Sequence, residues 1–203
     1  MKKYIAALSA TALFGVAPYA LASSTDLTVT GIITPAACSP SLSEGGQIEL
    51  GKIPSHTLHP TSDTPVGNNT LQLTVACDAP TLLALNAIDH MAGTSTFPAY
   101  FGLGLTTADE KLGAIILRVS NPEADGQRLR PITSDDGGAS WESSNSLSPS
   151  NLLSFAHQSG TPVPVKDLST PFSVNTYIAP ANGLTLNDDQ SINGEVTIEV
   201  MYL

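Results

Sequence analysis

The residues able to do chemistry are few, and most of them sit where another role explains them. His56 and His59 are three apart, a spacing that would place two imidazoles on one helix face for a metal. Pro54 and Pro60 bracket them and disfavour a helix there, so the pair reads as part of a loop. Asp135–Asp136 and Asp188–Asp189 could act as paired carboxylates in acid–base work. Each pair lies in a turn sequence, where aspartate is common because its side chain bonds nearby backbone N–H groups. His90 and His157 also fall in loop-like stretches, and Ser159 follows His157 closely. No serine stands in the G-x-S-x-G elbow of a hydrolase, and no glycine-rich phosphate loop is present. The sequence makes no case for an enzyme, and no catalytic residue, metal ligand or cofactor is expected.

The elements that hold these residues are β-strands. Gly 16 and Pro 15 are spread along the chain, helix-period stretches are missing, and short apolar runs recur between turn signals. That pattern predicts an all-β, antiparallel sandwich. Residues 1–22 carry Lys2 and Lys3, an apolar run from Ile5 to Val16, and Ala20-Leu21-Ala22, which together read as a secretory signal peptide. No other stretch is long and apolar enough to cross a membrane, so residues 23–203 are expected as a single exported domain without a transmembrane segment. Without the two signal lysines, 6 basic residues face 18 acidic ones, a net charge of −12. That balance argues against nucleic acid and anionic membranes as partners. Cys38 and Cys77, an even pair in an exported chain, predict a disulfide.

Taken in order, Leu27–Thr34 alternates apolar residues with threonines, and Pro35 ends it. Short alternating runs follow at Ile48–Ile53 and Leu71–Val75, then an apolar run at Leu82–Ala87. Tyr100–Thr106 reads as a strand weakened by Gly102 and Gly104, and Gly113–Val119 as a central strand. Arg130–Trp141 reads as a hairpin, Leu152–His157 as either a short helix or a strand, and Phe172–Ala179 as a strand. The chain closes on Gly194–Leu203, with Val196, Ile198, Val200 and Tyr202 on one face.

Two resemblances follow. Ser134, Asp136, Gly138 and Trp141 form S-x-D-x-G-x-x-W, which resembles the Asp-box of sialidases. One copy is present, with only Arg118, Arg128 and Arg130 as arginines, so it is read as a structural hairpin. Asp136 would hold the turn, Gly138 would supply positive φ and Trp141 would anchor it. The wider set is Val29-Thr30-Gly31-Ile32-Ile33, Pro35-Ala36-Ala37-Cys38, Ile48–Ile53, Leu71–Cys77 and the closing strand with Tyr202. It resembles the chaperone–usher fimbrial subunits, the pilins, and is closest to their fimbrial-like branch. The likeness is clearest over residues 27–77 and 172–203.

The resemblance implies an immunoglobulin-like sandwich that lacks its last strand and is completed by a donor strand. It implies a non-enzymatic subunit of a surface fimbria that contributes to adhesion. The partners implied are a periplasmic chaperone, an outer-membrane usher and neighbouring subunits, and the chain would pass through the periplasm to the cell surface. Residues 23–34 would be the donor strand, with Leu27, Val29, Gly31 and Ile33 as its buried face. Gly194, Val196, Ile198, Val200 and Tyr202 would border the acceptor groove, and Cys38–Cys77 would match the pilin disulfide. The other reading is a self-contained periplasmic or secreted β-sandwich that binds a small ligand or carbohydrate, with Leu27–Ile33 as its own first strand.

Overall fold

The computed structural model describes residues 37–203, with Thr28 before them. The signal peptide and the first strand, with Leu27, Val29, Gly31 and Ile33, lie outside the described residues. One sheet takes β1 (Cys38–Leu42), β2 (Thr64–Thr81), β4 (Phe101–Gly102), β5 (Gly113–Val119), β6 (Glu123–Ala124), β7 (Gln127–Arg128), β10 (Ser146–Leu147) and β12 (Val165–Ile178). The other takes β3 (Leu83–Asp89), β8 (Arg130–Ser134), β9 (Glu142–Ser143), β11 (Leu152–Ala156) and β13 (Val196–Tyr202). Their orders are β1-β2-β12-β5-β10 and β13-β3-β11-β8-β9. Every ladder pairing between these strands is antiparallel. The all-β sandwich expected from the period-two pattern is the observed fold.

The core lies between the sheets. Leu73 and Val75 of β2, Leu117 and Val119 of β5, and Leu168 and Phe172 of β12 come from the first sheet. Leu83, Leu85, Leu153 and Phe155 come from the second. Along β12 the burial alternates from Leu168 to Ile178, as one face turns to the core and the other to water. β5 is buried on both faces over most of its length, and it is an interior strand, paired with β12 on one edge and with β4 and β10 on the other. An apolar run such as Ala114–Leu117 suits that position, and Arg118 stands where the burial relaxes.

Cys38 and Cys77 are bonded and also stand opposite one another in the β1–β2 ladder, with Cα atoms 4.0 Å apart. Leu152–Ala156, ambiguous by sequence, is strand β11, paired with both β3 and β8. The ladder supplies the backbone partners that the sequence period left open. The run Tyr100–Thr106 is shorter than expected, with only Phe101–Gly102 in a ladder, because Gly104 takes a positive φ and turns the chain away.

Ile48–Ile53 differs from expectation in a more useful way. None of its residues belongs to a ladder, and Gly51 within it takes a φ of 65°. Ile48 and Ile53 pack against the core edge, and Leu50 lies on Gly67 of β2. A Cβ at Gly67 would come 2.7 Å from the Leu50 Cδ2 atom, so the missing side chain is the seat for Leu50. The segment is held by alternate side chains rather than by backbone hydrogen bonds.

Candidate functional site

Two features stand apart from an ordinary closed sandwich. The first is β13. Val196, Ile198 and Val200 are half-buried toward the core edge, while Thr197, Glu199 and Met201 face outward. One edge of β13 pairs with β3 in register from Val196–Asp89 to Tyr202–Leu83. Among the described residues, no strand pairs with its other edge. An unpaired edge presents a row of N–H and C=O groups suited to another strand.

The second is a groove of about 1490 Å³ that runs beside this edge. Gln47–Ser55 forms one wall and Gly194–Ile198 the other. The floor comes from the inner face of the first sheet, with Leu71, Ile115, Leu117, Val174 and Ile178, joined by Leu103 and Leu112. Leu184, Leu186 and Ile192 line it from the loop between β12 and β13. The groove thus joins an apolar floor, polar and charged side chains along its walls, and a strand edge that no strand pairs among the described residues.

Specific contacts hold the groove's shape. Beyond the groove lining, the Cys38 N–H donates to the Tyr202 hydroxyl at 3.0 Å, tying the start of β1 to the end of β13. Tyr202 itself remains 44% exposed. The loop 179–195, which lines the groove, is clamped by Glu110. Its carboxylate accepts from the Thr185 N–H at 2.6 Å, the Thr185 hydroxyl at 2.8 Å and the Thr106 hydroxyl at 3.0 Å. The Thr185 N–H is the main reason that this carboxyl is held below the ordinary glutamate value, with the hydroxyls adding to it. The Asn193 N–H donates to the Leu103 carbonyl at 3.2 Å, and Gln190 accepts from the Thr107 N–H at 3.0 Å.

Gly194 lies just before β13, and a Cβ there would run into the Ile115 Cδ1 atom and come 3.0 Å from the Leu103 Cδ2 atom. The glycine therefore lets the chain entering β13 lie on the groove floor. Glu110, Thr185 and the Leu184–Ile192 lining carry no sequence signal of their own. They sit in irregular loops and act only through partners far away in the chain.

The remaining expected residues fall elsewhere. Ser134, Asp136, Gly138 and Trp141 form a closed hairpin tip between β8 and β9. The Ser134 hydroxyl donates to Asp136 at 2.7 Å and accepts from the Gly138 N–H at 2.8 Å. Ser140 gives Asp136 both its N–H, at 2.8 Å, and its hydroxyl, at 2.6 Å. The Trp141 indole N–H donates to the Gly138 carbonyl at 3.1 Å, and Gly138 has φ 96°. Both oxygens of Asp136 are engaged within the turn. Arg118 and Arg130 lie on opposite sheets, on β5 and β8. His59 accepts from the Thr61 and Ser62 N–H groups at its Nδ1, as a turn cap does. Asp188 and Asp189 are exposed on the groove rim.

Asp136 yields a pH prediction. The Ser134 hydroxyl first, then the Ser140 hydroxyl and N–H, hold its carboxyl well below the ordinary aspartate range. A carboxylate depressed in the folded state stabilises above its unfolded value, near 3.8, and loses that contribution as pH falls through the lower folded value. Asp136→Asn should therefore melt below the natural chain at pH 7, and the gap should shrink as pH drops below about 4. A gap that stays constant down to pH 2 in thermal melts would contradict this.

Residues 27–98 match a family described as "Protein of unknown function (DUF1120)". The chain is also 27% identical to Protein GltF of Escherichia coli (strain K12) over 224 aligned positions, which cover 88% of each chain.

Proposed function

We propose that this protein is a structural subunit of a surface fimbria, assembled by exchange of β-strands and without enzymatic activity. The observation that carries the reading is the apolar-floored groove of about 1490 Å³ beside the edge of β13 that no strand pairs among the described residues. β-Augmentation needs those two features together. The edge supplies ladder hydrogen bonds, and the groove takes alternate side chains. β13 has seven residues from Val196 to Tyr202, a span of about 20 Å. The stretch Leu27–Ile33 also has seven residues, with Leu27, Val29 and Ile33 on one face and Gly31 between them. Burying the three aliphatic side chains is worth roughly 1.5–3 kcal/mol each before ordering costs.

On this reading Leu27, Val29, Gly31 and Ile33 are donated to a neighbouring subunit. Val196, Ile198, Val200 and Tyr202 border the site that receives a strand, with Gly194 at its entrance. A periplasmic chaperone would fill the groove during export, an outer-membrane usher would exchange it, and the product would stand at the cell surface. Unpaired edges aggregate unless covered, which gives a physical reason for such a partner.

The test is a strand-complementation melt. A chain lacking Ser23–Gly31, with Cys38–Cys77 oxidised, is melted with and without a peptide covering Thr25–Pro35, next to the full mature chain. The peptide should raise the melting temperature of the shortened chain by about 5–10 °C, the shift for a net gain of a few kcal/mol in a domain of this size. Equal melting with and without the peptide, in a shortened chain that folds alone, would sink the proposal. The sandwich would then be self-contained, and a small ligand would become the question.

A further inference from the structure

Asparagine precedes glycine at Asn182–Gly183 and at Asn193–Gly194, and both pairs fall in the loop between β12 and β13. An Asn–Gly pair carries its own electrophile and nucleophile. The side-chain amide carbon lies one ring closure from the next backbone nitrogen, and glycine has no Cβ to hinder the approach. The loop treats the two pairs differently. The Asn182 N–H donates to the Pro60 carbonyl at 3.1 Å, and the Gly183 N–H to the Pro180 carbonyl at 2.9 Å, within the short helical turn Ala181–Gly183. Asn193 is exposed and stands outside every strand and turn. Its own N–H is anchored on the Leu103 carbonyl at 3.2 Å, whereas the Gly194 N–H makes no hydrogen bond among the described residues. An exposed N–H without a partner can give up its proton without first breaking a bond. Packing keeps the pair in place. A Cβ at position 194 would run into the Ile115 Cδ1 atom and come 3.0 Å from the Leu103 Cδ2 atom. The glycine that seats the chain on the groove floor is the same one that makes Asn193 reactive.

We infer that Asn193–Gly194 is a self-modification site, at which the protein slowly rebuilds one wall of its groove. The Gly194 nitrogen gives its proton to water and bonds to the Asn193 Cγ atom. The bond from Cγ to the side-chain nitrogen breaks, and that nitrogen takes up a proton and leaves as ammonia. The succinimide so formed takes up one water at either carbonyl, which opens the ring to aspartate or isoaspartate. Water is the one co-reactant, and nothing is oxidised or reduced. Isoaspartate carries the main chain through the former side chain, one methylene longer, between the Leu103 anchor and the Gly194 seat. It also adds a carboxylate to a lining that already holds Asp188, Asp189 and Glu195. The site stands whatever the groove receives.

The experiment uses the full mature chain, residues 23–203, aged in mildly alkaline buffer at physiological temperature. Peptide mapping should find conversion at Asn193 about fivefold faster than at Asn182, or more, the factor for breaking one backbone hydrogen bond before attack. In denaturant, where the loop is open, the two rates should converge. Equal rates in the folded chain, a faster Asn182, or a ratio that persists in denaturant would overturn the assignment. Asn193→Gln keeps the amide but needs a larger ring, so this variant should hold its melting temperature through the same ageing. The natural chain should lose a few degrees in step with its isoaspartate content. Asn193→Asp, measured fresh, has the added charge without the added methylene and should melt closer to the natural chain than the isoaspartate form does. Parallel melting of the aged natural chain and the aged Asn193→Gln variant would overturn the effect on the wall.

Discussion

Cys38→Ser combined with Cys77→Ser is expected to lower the unfolding free energy by about 4 kcal/mol, the chain-entropy value for a loop of this length. The bridge closes a sequence separation of 39 residues. In a domain of this size that loss is a fall of roughly 8–16 °C in melting temperature. The placement of the bridge enlarges its consequences. It joins β1 to β2 at the outer edge of the first sheet, where β2 is the one ladder partner of β1 among the described residues. The Ala37 carbonyl accepts from the Asp78 N–H at 2.9 Å beside it, and the Cys38 N–H reaches Tyr202. Loosening this corner therefore frees the start of β1 from the end of β13. Chemical denaturation of the double variant against the oxidised natural chain would measure it. A loss below about 1 kcal/mol would show that β1 and its hydrogen bonds hold the corner without the bridge.

The second large effect is expected at Gly113, where β5 begins. It stands opposite Ile178 in the β5–β12 ladder and forms a bridge with Ser95. A Cβ there would run into the Tyr177 carbonyl oxygen and come 3.0 Å from the Ile178 Cα atom. Both are backbone atoms, so no change of rotamer relieves the clash. β12 or β5 must move, and with them the ladder that places Ile115, Leu117, Val174 and Ile178 on the groove floor. Gly113→Ala should cost about 3 kcal/mol or more, at the upper end of overpacking. Gly183→Ala is the matched control, with nothing within 4 Å of its Cβ position, and should stay within about 0.5 kcal/mol. Similar losses for the two variants in urea unfolding would refute the steric account.

Much of the fold was legible in the chain. Period-two alternation marked β13 and the later part of β12, and a continuous apolar run marked β5. The two cysteines allowed one intramolecular pairing, and the turn chemistry of Ser134–Trp141 could be written out before the hydrogen bonds were seen. These features are local, or depend on which face of a strand is buried, and side-chain period reports both.

Other features depended on partners. Ile48–Ile53 alternates as well as any strand, yet it joins no ladder, because period says that one face is buried and not that a neighbouring backbone is present. Leu152–Ala156 became a strand because β3 and β8 stood on either side of it. Ser146–Leu147, inside a Ser/Asn-rich stretch, was drawn into the first sheet by β5.

The groove was the least legible feature of all. Its lining comes from Leu42–Leu58, Leu71, Met91, Leu103–Leu117 and Val174–Ile198, segments far apart in sequence. Its acidic rim joins Glu49 near one end of the chain to Asp188, Asp189 and Glu195 near the other. By itself the sequence determined that the chain is made of strands, which residues face inward along most of them, and where its one covalent bridge closes. Only the tertiary structure decided which edge lies open and what surrounds it, because burial is a property of one residue whereas a groove is a relation among many.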